Sequence, residues 1–314
     1  MPSFVFHDAP RHFFRLLILS IAGIFLAIPA IAGTLMSPDG RTRSYEMFIP
    51  QKIHGRAAPT LFVLHGGGGS ARQVHKSWSL DKLARRHGFV VVYPDGVSRH
   101  WNDGRTGGKT RLFKGQAPDD VVFLRALADK LVAKGVARAG QIYMAGVSNG
   151  GMMTQRMACE ANETFAGFAS IIAGLPVSLR QCRLVQPRSV LMINGDADPL
   201  MPWQGGGVGF RGTRGNVLSG PDTFAHWRHR AGCNGPVRSV PMQNKNKTDH
   251  SYPERMVASA CPPGLAVEMI RIHGGGHGIP GVHYKRKRLR KRLGSINLDF
   301  DAKVMILDFL GLGG

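Results

Sequence analysis

The stretch Gln141-Ile142-Tyr143-Met144-Ala145-Gly146-Val147-Ser148-Asn149-Gly150-Gly151 joins an apolar run to a methionine-rich run that continues to Glu160. The apolar half predicts a buried strand, and the half after Ser148 predicts a helix. A serine between two glycines, on a sharp turn from strand to helix, is typical of a nucleophile elbow, where backbone strain lifts the hydroxyl clear of the sheet. A serine that only caps a helix gives the same pattern, so the surrounding sequence must decide.

A glycine-rich loop stands upstream of this turn. The apolar run 61–64 predicts a buried strand, and it leads into His65-Gly66-Gly67-Gly68-Gly69. Glycine allows loop amides to come within hydrogen-bond reach of an oxyanion because no Cβ intervenes. We therefore predict an oxyanion hole built from the amides of Gly66, Gly67, Gly68 and Asn149. No Lys-Ser or Lys-Thr pair follows the glycines, which argues against a phosphate-binding loop.

Strand and helix patterns alternate along the rest of the chain. Apolar runs predict strands near 42–50, 61–64, 90–93, 165–172, 190–193 and 265–272, and helical patterns cover 80–87, 120–134, 221–231 and 303–310. Asp119 and Asp120 are expected to cap the second of these helices. The alternation predicts an α/β protein with a mainly parallel central sheet and helices on both faces. Combined with the serine turn, it favours the α/β-hydrolase fold.

In that fold an acid and a histidine follow the serine in chain order, on loops after later strands. The run 190–193 is followed by Asp196 and Asp198, and the run 265–272 is followed by His273 and His277. Asp198 is the preferred acid and His277 the preferred base. His277 is favoured over His273 because His273 sits at the strand end, where its side chain has less freedom to reach across to the serine. Asp196 and His273 remain the alternatives. Trp101 and Arg105 either line the mouth of the site, or belong to a rigid turn in which Asp103 pairs with Arg105.

These motifs resemble those of the secreted esterases similar to polyhydroxybutyrate depolymerases and feruloyl esterases. The shared stretches are 64–69, 92–96, 101–105, 118–123, 145–153, 195–202, 227–233 and 274–281, in the same order as in the family. The resemblance implies an α/β-hydrolase with Ser148 as nucleophile, Asp198 as acid and His277 as base, and it implies no cofactor. Ile279 stands where the family often has a tryptophan lining the cleft, which weakens the expectation of an aromatic substrate.

The first residues carry the features of an export signal. Arg11 and Arg15 precede the apolar run 16–28, and Ala30-Ile31-Ala32 offers a small-x-small cleavage site. We therefore expect residues 1–32 to be a signal peptide, with a retained anchor as the alternative, and 33–314 to form a single catalytic domain. This expectation makes the protein secreted, either extracellular or periplasmic.

An exported protein meets an oxidising environment, so its four cysteines are expected to pair. Neighbours in the sequence would give Cys159–Cys182 and Cys233–Cys261, although four cysteines allow three pairings. No Cys-x-x-Cys or His-x-x-x-His spacing predicts a metal site.

The chain is strongly basic, with 41 Lys and Arg against 20 Asp and Glu. Seven cationic residues fall within Lys285-Arg286-Lys287-Arg288-Leu289-Arg290-Lys291-Arg292. Their mutual repulsion predicts a solvated, extended segment, which is a possible contact for an anionic polymer or membrane surface. No motif indicates specific binding of nucleic acid.

Together these features predict a secreted serine esterase with an ester substrate, of the polyhydroxybutyrate (poly-3-hydroxyalkanoate) depolymerase type. The alternatives are a feruloyl or acetyl esterase acting on plant polysaccharide esters, an acyltransferase with an acceptor other than water, and a non-catalytic polyanion-binding protein on the same scaffold.

Overall fold

The computed structural model describes residues 1–3, 31–106, 113, 116–182, 185–284 and 287–313. Within these residues a ten-stranded sheet forms the centre of the molecule. Its strands are β1 (Ile31–Met36), β2 (Thr42–Phe48), β3 (Ala58–Leu64), β4 (Val90–Pro94), β5 (Ala137–Val147), β6 (Gly167–Ile171), β7 (Ser189–Gly195), β10 (Val237–Pro241), β11 (Tyr252–Ala258) and β12 (Val267–His273). A separate two-stranded hairpin contains β8 (Gly206–Gly207) and β9 (Asn216–Val217).

The strands lie in the order β1-β2-β4-β3-β5-β6-β7-β12-β11-β10. The six central strands, from β4 to β12, run parallel to one another. The outer strands pair antiparallel on both sides. The predicted mainly parallel sheet therefore holds for the centre, where the catalytic candidates lie, and the antiparallel edges are an addition to it.

Seven helices accompany the strands in the described part of the chain. They are α1 (Ala71–Trp78), α2 (Asp81–His87), α3 (Asp120–Ala133), α4 (Asn149–Glu160), α5 (Gly220–Arg230), α6 (Lys287–Leu293) and α7 (Ala302–Phe309). Each of the five predicted helices is present, including the one after Ser148, and the ends of the other four differ from the prediction by at most one residue.

The central strands bury both faces, which explains why they read as continuous apolar runs. On β3, Phe62 and Leu64 enter one core, and Leu61 and Val63 enter the core on the opposite face. The first core also contains side chains of α3, α4 and α5, and the second contains side chains of α1, α2 and α7. The sheet is therefore covered by helices on both faces, as the alternation of patterns predicts.

Two disulfides tie the ends of α4 and α5 to later segments of the chain, with Cys159 and Cys233 buried in the first core. Cys159 at the end of α4 bonds to Cys182, and Cys233 just after α5 bonds to Cys261. Both bonds match the pairings of sequence neighbours.

The prediction for the basic segment is wrong in part. Lys287 to Leu293 forms the helix α6, and only Lys285 and Arg286 lie outside the described residues. Repulsion between the cations does not prevent the helix, because every basic side chain of α6 is exposed and only Leu293 is buried. The proposed signal peptide also falls almost entirely outside the described residues, with Ile31 and Ala32 opening β1. Among the described helices, none combines the length and apolar character needed to cross a membrane.

Candidate active site

Ser148 occupies the turn between β5 and α4 in a strained conformation, with φ 54° and ψ −117°. Its hydroxyl makes no capping hydrogen bond to α4, so the helix-cap interpretation does not hold. The flanking glycines are required sterically. A Cβ at Gly146 would lie 2.2 Å from the carbonyl oxygen of Gly150, and a Cβ at Gly150 would lie 2.5 Å from the carbonyl oxygen of His65. The turn thus has the geometry of a nucleophile elbow.

The serine meets a histidine and an aspartate contributed by later loops. His277 Nε2 lies 2.9 Å from Ser148 Oγ, and His277 Nδ1 lies 2.6 Å from Asp198 Oδ2. The second oxygen, Asp198 Oδ1, accepts hydrogen bonds from the amides of Leu200 and Met201 at 2.7 and 2.8 Å. These amides orient the carboxylate, which in turn favours the imidazole tautomer with its proton on Nδ1. Nε2 is then free to accept a proton from the serine.

The alternative acid and base belong to a different cluster. Asp196 Oδ2 accepts from Arg271 at 2.9 Å and lies 3.3 Å from His273 Nδ1. His273 Nε2 lies 2.8 Å from Glu254 Oε2. His273 therefore has carboxylates at both ring nitrogens and lies in an ion-pair network between β11 and β12, without contact to Ser148.

The glycine loop lies against the serine turn. A Cβ at Gly66 would be 3.6 Å from Ser148 Cβ, and a Cβ at Gly67 would be 3.5 Å from Asn149 Cβ. Among the described residues, the amides of Gly66, Gly67 and Asn149 have no acceptor. Gly68 requires a correction, because its amide donates to the carbonyl of Arg99 at 2.8 Å and is already occupied. The candidate oxyanion donors are therefore Gly66, Gly67 and Asn149.

His65, which sequence reasoning did not single out, anchors the start of this loop. The amide of Gly96 donates to His65 Nε2 at 2.9 Å, so the ring proton is on Nδ1 and is donated to the carbonyl of Gly66 at 2.8 Å. Burial lowers the pKa of His65 below its ordinary value. A neutral imidazole with this tautomer fits both hydrogen bonds, whereas an imidazolium could not accept from Gly96.

A buried polar network holds the side chain of Asn149. Asn149 Oδ1 accepts from the Trp101 amide at 2.8 Å, and Asn149 Nδ2 donates to the Trp101 carbonyl at 3.0 Å and to Asp103 Oδ2 at 2.7 Å. Trp101 Nε1 also donates to the carbonyl of His65 at 2.9 Å. The segment around Trp101 thus connects the two loops that carry the candidate oxyanion donors.

The rigid-turn alternative holds for this segment, whereas the alternative that places the segment at the mouth of the site holds for Arg105 and not for Trp101. Asp103 forms a buried ion pair with Arg105 at 2.8 Å, as expected of a rigid turn. Arg105 also lines the cleft above Ser148, whereas Trp101 is buried beneath it.

An open cleft of about 650 Å³ leads to Ser148 and His277. Its walls include the glycine loop, α1, the hairpin between β8 and β9, and the segment after β12. Ile279 is part of the wall. Further lining residues from the hairpin and α6 regions are Leu200, Val208, Arg214, Tyr284, Leu289 and Leu293. Sequence patterns gave no sign of Leu200, Val208 and Arg214, because these residues lie outside the strands and helices.

In the described part of the chain, one group of side chains has potential ligand atoms close enough together to bind a metal ion. It consists of Cys159, Cys182 and His226. Both cysteines are in a disulfide, so neither offers the thiolate that a metal would need.

A mainly parallel sheet with a strained serine after β5 and a histidine after β12 defines an α/β-hydrolase. The solved structure of the acetyl xylan esterase from Aspergillus awamori has the same fold, with a TM-score of 0.57 and 13% identity over 90% of this chain and 99% of that chain. At this identity the likeness concerns the fold alone.

Sequence comparisons extend the identification to a family. The family model described as Esterase PHB depolymerase matches residues 43–177. The protein named esterase NocK from Nocardia uniformis subsp. tsuyamanensis is 32% identical over 77% of this chain and 72% of its own length. Feruloyl esterase B from Piromyces equi is 26% identical over 71% of this chain, which spans only 40% of that protein. The protein is a serine hydrolase of carboxylic esters, and it belongs to the family of polyhydroxybutyrate-depolymerase-like esterases.

Proposed function

We propose that the protein hydrolyses acyl esters on a polymer through a triad of Ser148, His277 and Asp198. The observation that carries this proposal is the continuous chain of contacts from Asp198 to His277 to Ser148, at 2.6 and 2.9 Å. Each distance suits a hydrogen bond, and each partner stands in the order that the fold requires.

In the first half of the reaction, Ser148 Oγ attacks the ester carbonyl and His277 Nε2 takes its proton. Asp198 stabilises the imidazolium that results. The amides of Asn149, Gly66 and Gly67 bind the oxyanion of the tetrahedral intermediate. When this intermediate collapses, the alcohol leaves with the proton from His277, and the acyl group remains on Ser148.

In the second half, His277 accepts a proton from water as the water attacks the acyl-enzyme. The second tetrahedral intermediate uses the same donors, and its collapse returns the proton to Ser148 and releases the carboxylic acid.

The proposed substrate class is an acyl ester on a polysaccharide. One relative supports it by name, the acetylxylan esterase/xylanase of Neocallimastix patriciarum, which is 23% identical over 76% of this chain and 31% of that protein. The polyhydroxyalkanoate alternative is favoured by the description of the matching family model. The cleft suits either polymer because it is open, so that a chain could extend beyond it at the mouth.

Secretion, directed by a signal peptide at residues 1–32, is part of the same proposal. A polymeric substrate outside the cell requires export, and two disulfides suit an oxidising compartment. Residues 33–314 would then be the mature catalytic domain.

A substrate screen with purified protein tests the function. The set contains p-nitrophenyl esters of increasing acyl length, acetylated xylan, methyl ferulate and hydroxybutyrate oligomers. We expect turnover of short p-nitrophenyl esters and acetate release from the polysaccharide, with Ser148→Ala at background. A folded wild-type protein that hydrolyses none of these esters, or a Ser148→Ala variant with near-normal activity, would contradict the proposal.

A further inference from the structure

The charge distribution of the cleft points to the nature of the polymer. Among the described residues, the cleft wall contains two arginines, Arg105 and Arg214, and no aspartate or glutamate. Asp103 neutralises Arg105 at 2.8 Å. Arg214 has an exposed side chain, for which the described residues provide no ion pair or side-chain hydrogen bond. Within the described part of the chain, Arg214 thus has no counterion for the positive charge that it places at the cleft.

Arg214 is placed by the backbone of its hairpin. Its amide donates to the carbonyl of Val208 at 3.1 Å, and its own carbonyl accepts from Arg105 Nη1 at 2.6 Å. The buried Arg105–Asp103 pair therefore fixes the main chain of Arg214, while the guanidinium is left at the cleft. An arginine with a fixed main chain and an exposed guanidinium suits a carboxylate, to which the guanidinium can donate two parallel hydrogen bonds.

Helix α6 continues the positive surface beyond the cleft. Its residues Leu289 and Leu293 line the cleft, whereas its basic side chains line an adjoining groove of about 1110 Å³. Tyr284 lines both, so the two depressions are neighbours. The basic residues of the groove are Lys287, Arg288, Arg290 and Lys291.

The remaining contacts of α6 agree with this arrangement. Arg292 lies over the ring of Phe210, 4.9 Å from its centroid, and connects α6 to the hairpin that carries Arg214. Asp249, the one carboxylate in the described wall of the groove, accepts from the amides of Ser251 and Leu298. Asp249 is thus engaged with neutral donors and forms no ion pair with the cations of α6.

We propose that the substrate is an acylated polysaccharide that carries carboxylates along its chain. The acyl ester lies at Ser148, one sugar carboxylate binds Arg214, and the following carboxylates lie along the basic groove of α6. This inference rests on the proposed esterase activity and specifies its substrate. A polyanion matches cations that begin inside the catalytic cleft and for which the described residues provide no ion pair, whereas a neutral polyester would not neutralise them.

A pair of small acetates isolates the contribution of Arg214. 4-Acetoxybenzoate and 4-acetoxybenzamide have the same shape and the same ester, and only the first carries a carboxylate on the alcohol side. The quantity measured is the ratio of kcat/KM for the benzoate to kcat/KM for the benzamide. In Arg214→Gln this ratio should fall about tenfold, the size expected for one charge-assisted hydrogen-bonded contact.

Arg211→Gln is the matched control, because Arg211 is an exposed arginine of the same hairpin that does not line the cleft. Its ratio should stay within about twofold of wild type, since an exposed charge outside the cleft is screened by salt. An unchanged ratio in Arg214→Gln, or an equal fall in both variants, would overturn the role of Arg214.

A pair of polymers tests the groove. Acetate release is followed from partially acetylated alginate, which carries carboxylates, and from partially acetylated dextran, which does not. Wild type should prefer the alginate at low salt and lose this preference near 0.5 M NaCl, where the Debye length is only a few ångströms. A variant with Lys287, Arg288, Arg290 and Lys291 changed to Gln should lose the preference at low salt.

Equal rates on both polymers at low salt would overturn the inference and leave the esterase proposal intact. Absence of turnover on every ester by the folded protein would instead overturn the esterase proposal itself. Circular dichroism of each variant establishes that it is folded.

Discussion

Ser148 and Asn149 are adjacent in the chain, yet different parts of the molecule hold their side chains. The hydroxyl of Ser148 contacts His277, and the amide side chain of Asn149 is bound by Trp101 and Asp103 on the opposite side of the turn. Asn149 is 5% exposed, so its hydrogen bonds form where water competes little. At the scale of single residues, one set of contacts positions the candidate nucleophile and another positions the candidate oxyanion donor next to it.

Removing the side chain of Asn149 should therefore damage the oxyanion hole while leaving its backbone donor present. We expect Asn149→Ala to lower kcat for a small ester by about 10- to 100-fold with a smaller change in KM, because a misplaced donor loses stabilisation of the transition state. Steady-state kinetics with p-nitrophenyl acetate measure this. A folded variant with unchanged kcat would show that the network serves stability alone.

The two candidate acids form a matched pair of variants. Asp198→Asn should lower kcat about a thousandfold or more, because an amide at this position no longer favours the catalytic tautomer of His277. Asp196→Asn should retain activity within a few-fold, since Asp196 contacts Arg271 and His273 instead. The kcat values of both variants on one ester decide the assignment. The opposite order of activities would make Asp196 the acid.

At the scale of elements, the buried strands and amphipathic helices could be read from the sequence, because their periodicity reflects local geometry. The central runs and the loops that follow them therefore indicated where Ser148, Asp198 and His277 would meet. Long-range partners were not visible in the same way. Asp120 was expected to cap α3, but it is buried in an ion pair with Arg43 at 2.6 Å, and the cap is Asp119.

Exposed elements were predicted least well. The outer strand β10 is exposed along its whole length and shows no pattern of alternation. The cations of α6 suggested an extended segment, and the contact of Arg292 with Phe210 could not be foreseen because 82 residues separate the two in sequence. Occupation of the Gly68 amide by Arg99 was hidden for the same reason, since a glycine-rich motif does not show which amides are free.

The disulfide Cys233–Cys261 ties the end of α5 to the segment after β11, away from the cleft wall. A double change of both residues to Ser should lower the free energy of unfolding by about 2–4 kcal/mol, because the unfolded chain regains the entropy of an open loop. Urea unfolding under oxidising conditions measures the difference, and activity on a small ester should persist. Equal stabilities of variant and wild type would contradict this expectation.

At the scale of the whole molecule, the sheet separates two apolar cores, and the candidate catalytic groups lie at the carboxyl edge of its parallel strands. The burial of His65 and the partial burial of His226 make stability depend on pH. Burial lowers the pKa of His226 to about 4, and nearby Arg230, His229 and Arg180 act in the same direction. Burial also lowers the pKa of His65. In the unfolded chain both imidazoles are expected to titrate near their ordinary value of about 6.5.

The sign of the effect follows from the number of bound protons. Between about pH 6.5 and 4, the unfolded chain binds a proton at His226 and the folded protein does not, so the free energy of unfolding falls as the pH falls through this window. His226→Gln should show a smaller fall between pH 7 and pH 5, and His54→Gln, at an exposed position, should behave as wild type. Urea unfolding at both pH values gives the comparison. An undiminished fall in His226→Gln would contradict it.

If Ser148 is the nucleophile and His277 activates it, a reagent for activated serines should label Ser148 covalently. A fluorophosphonate ester reacts with activated serines, so the wild-type protein should take up one equivalent and lose esterase activity in parallel. Peptide mass spectrometry should locate the adduct on Ser148, and the His277→Ala variant should label far more slowly. An adduct on another residue, or full activity after stoichiometric labelling of Ser148, would contradict the account.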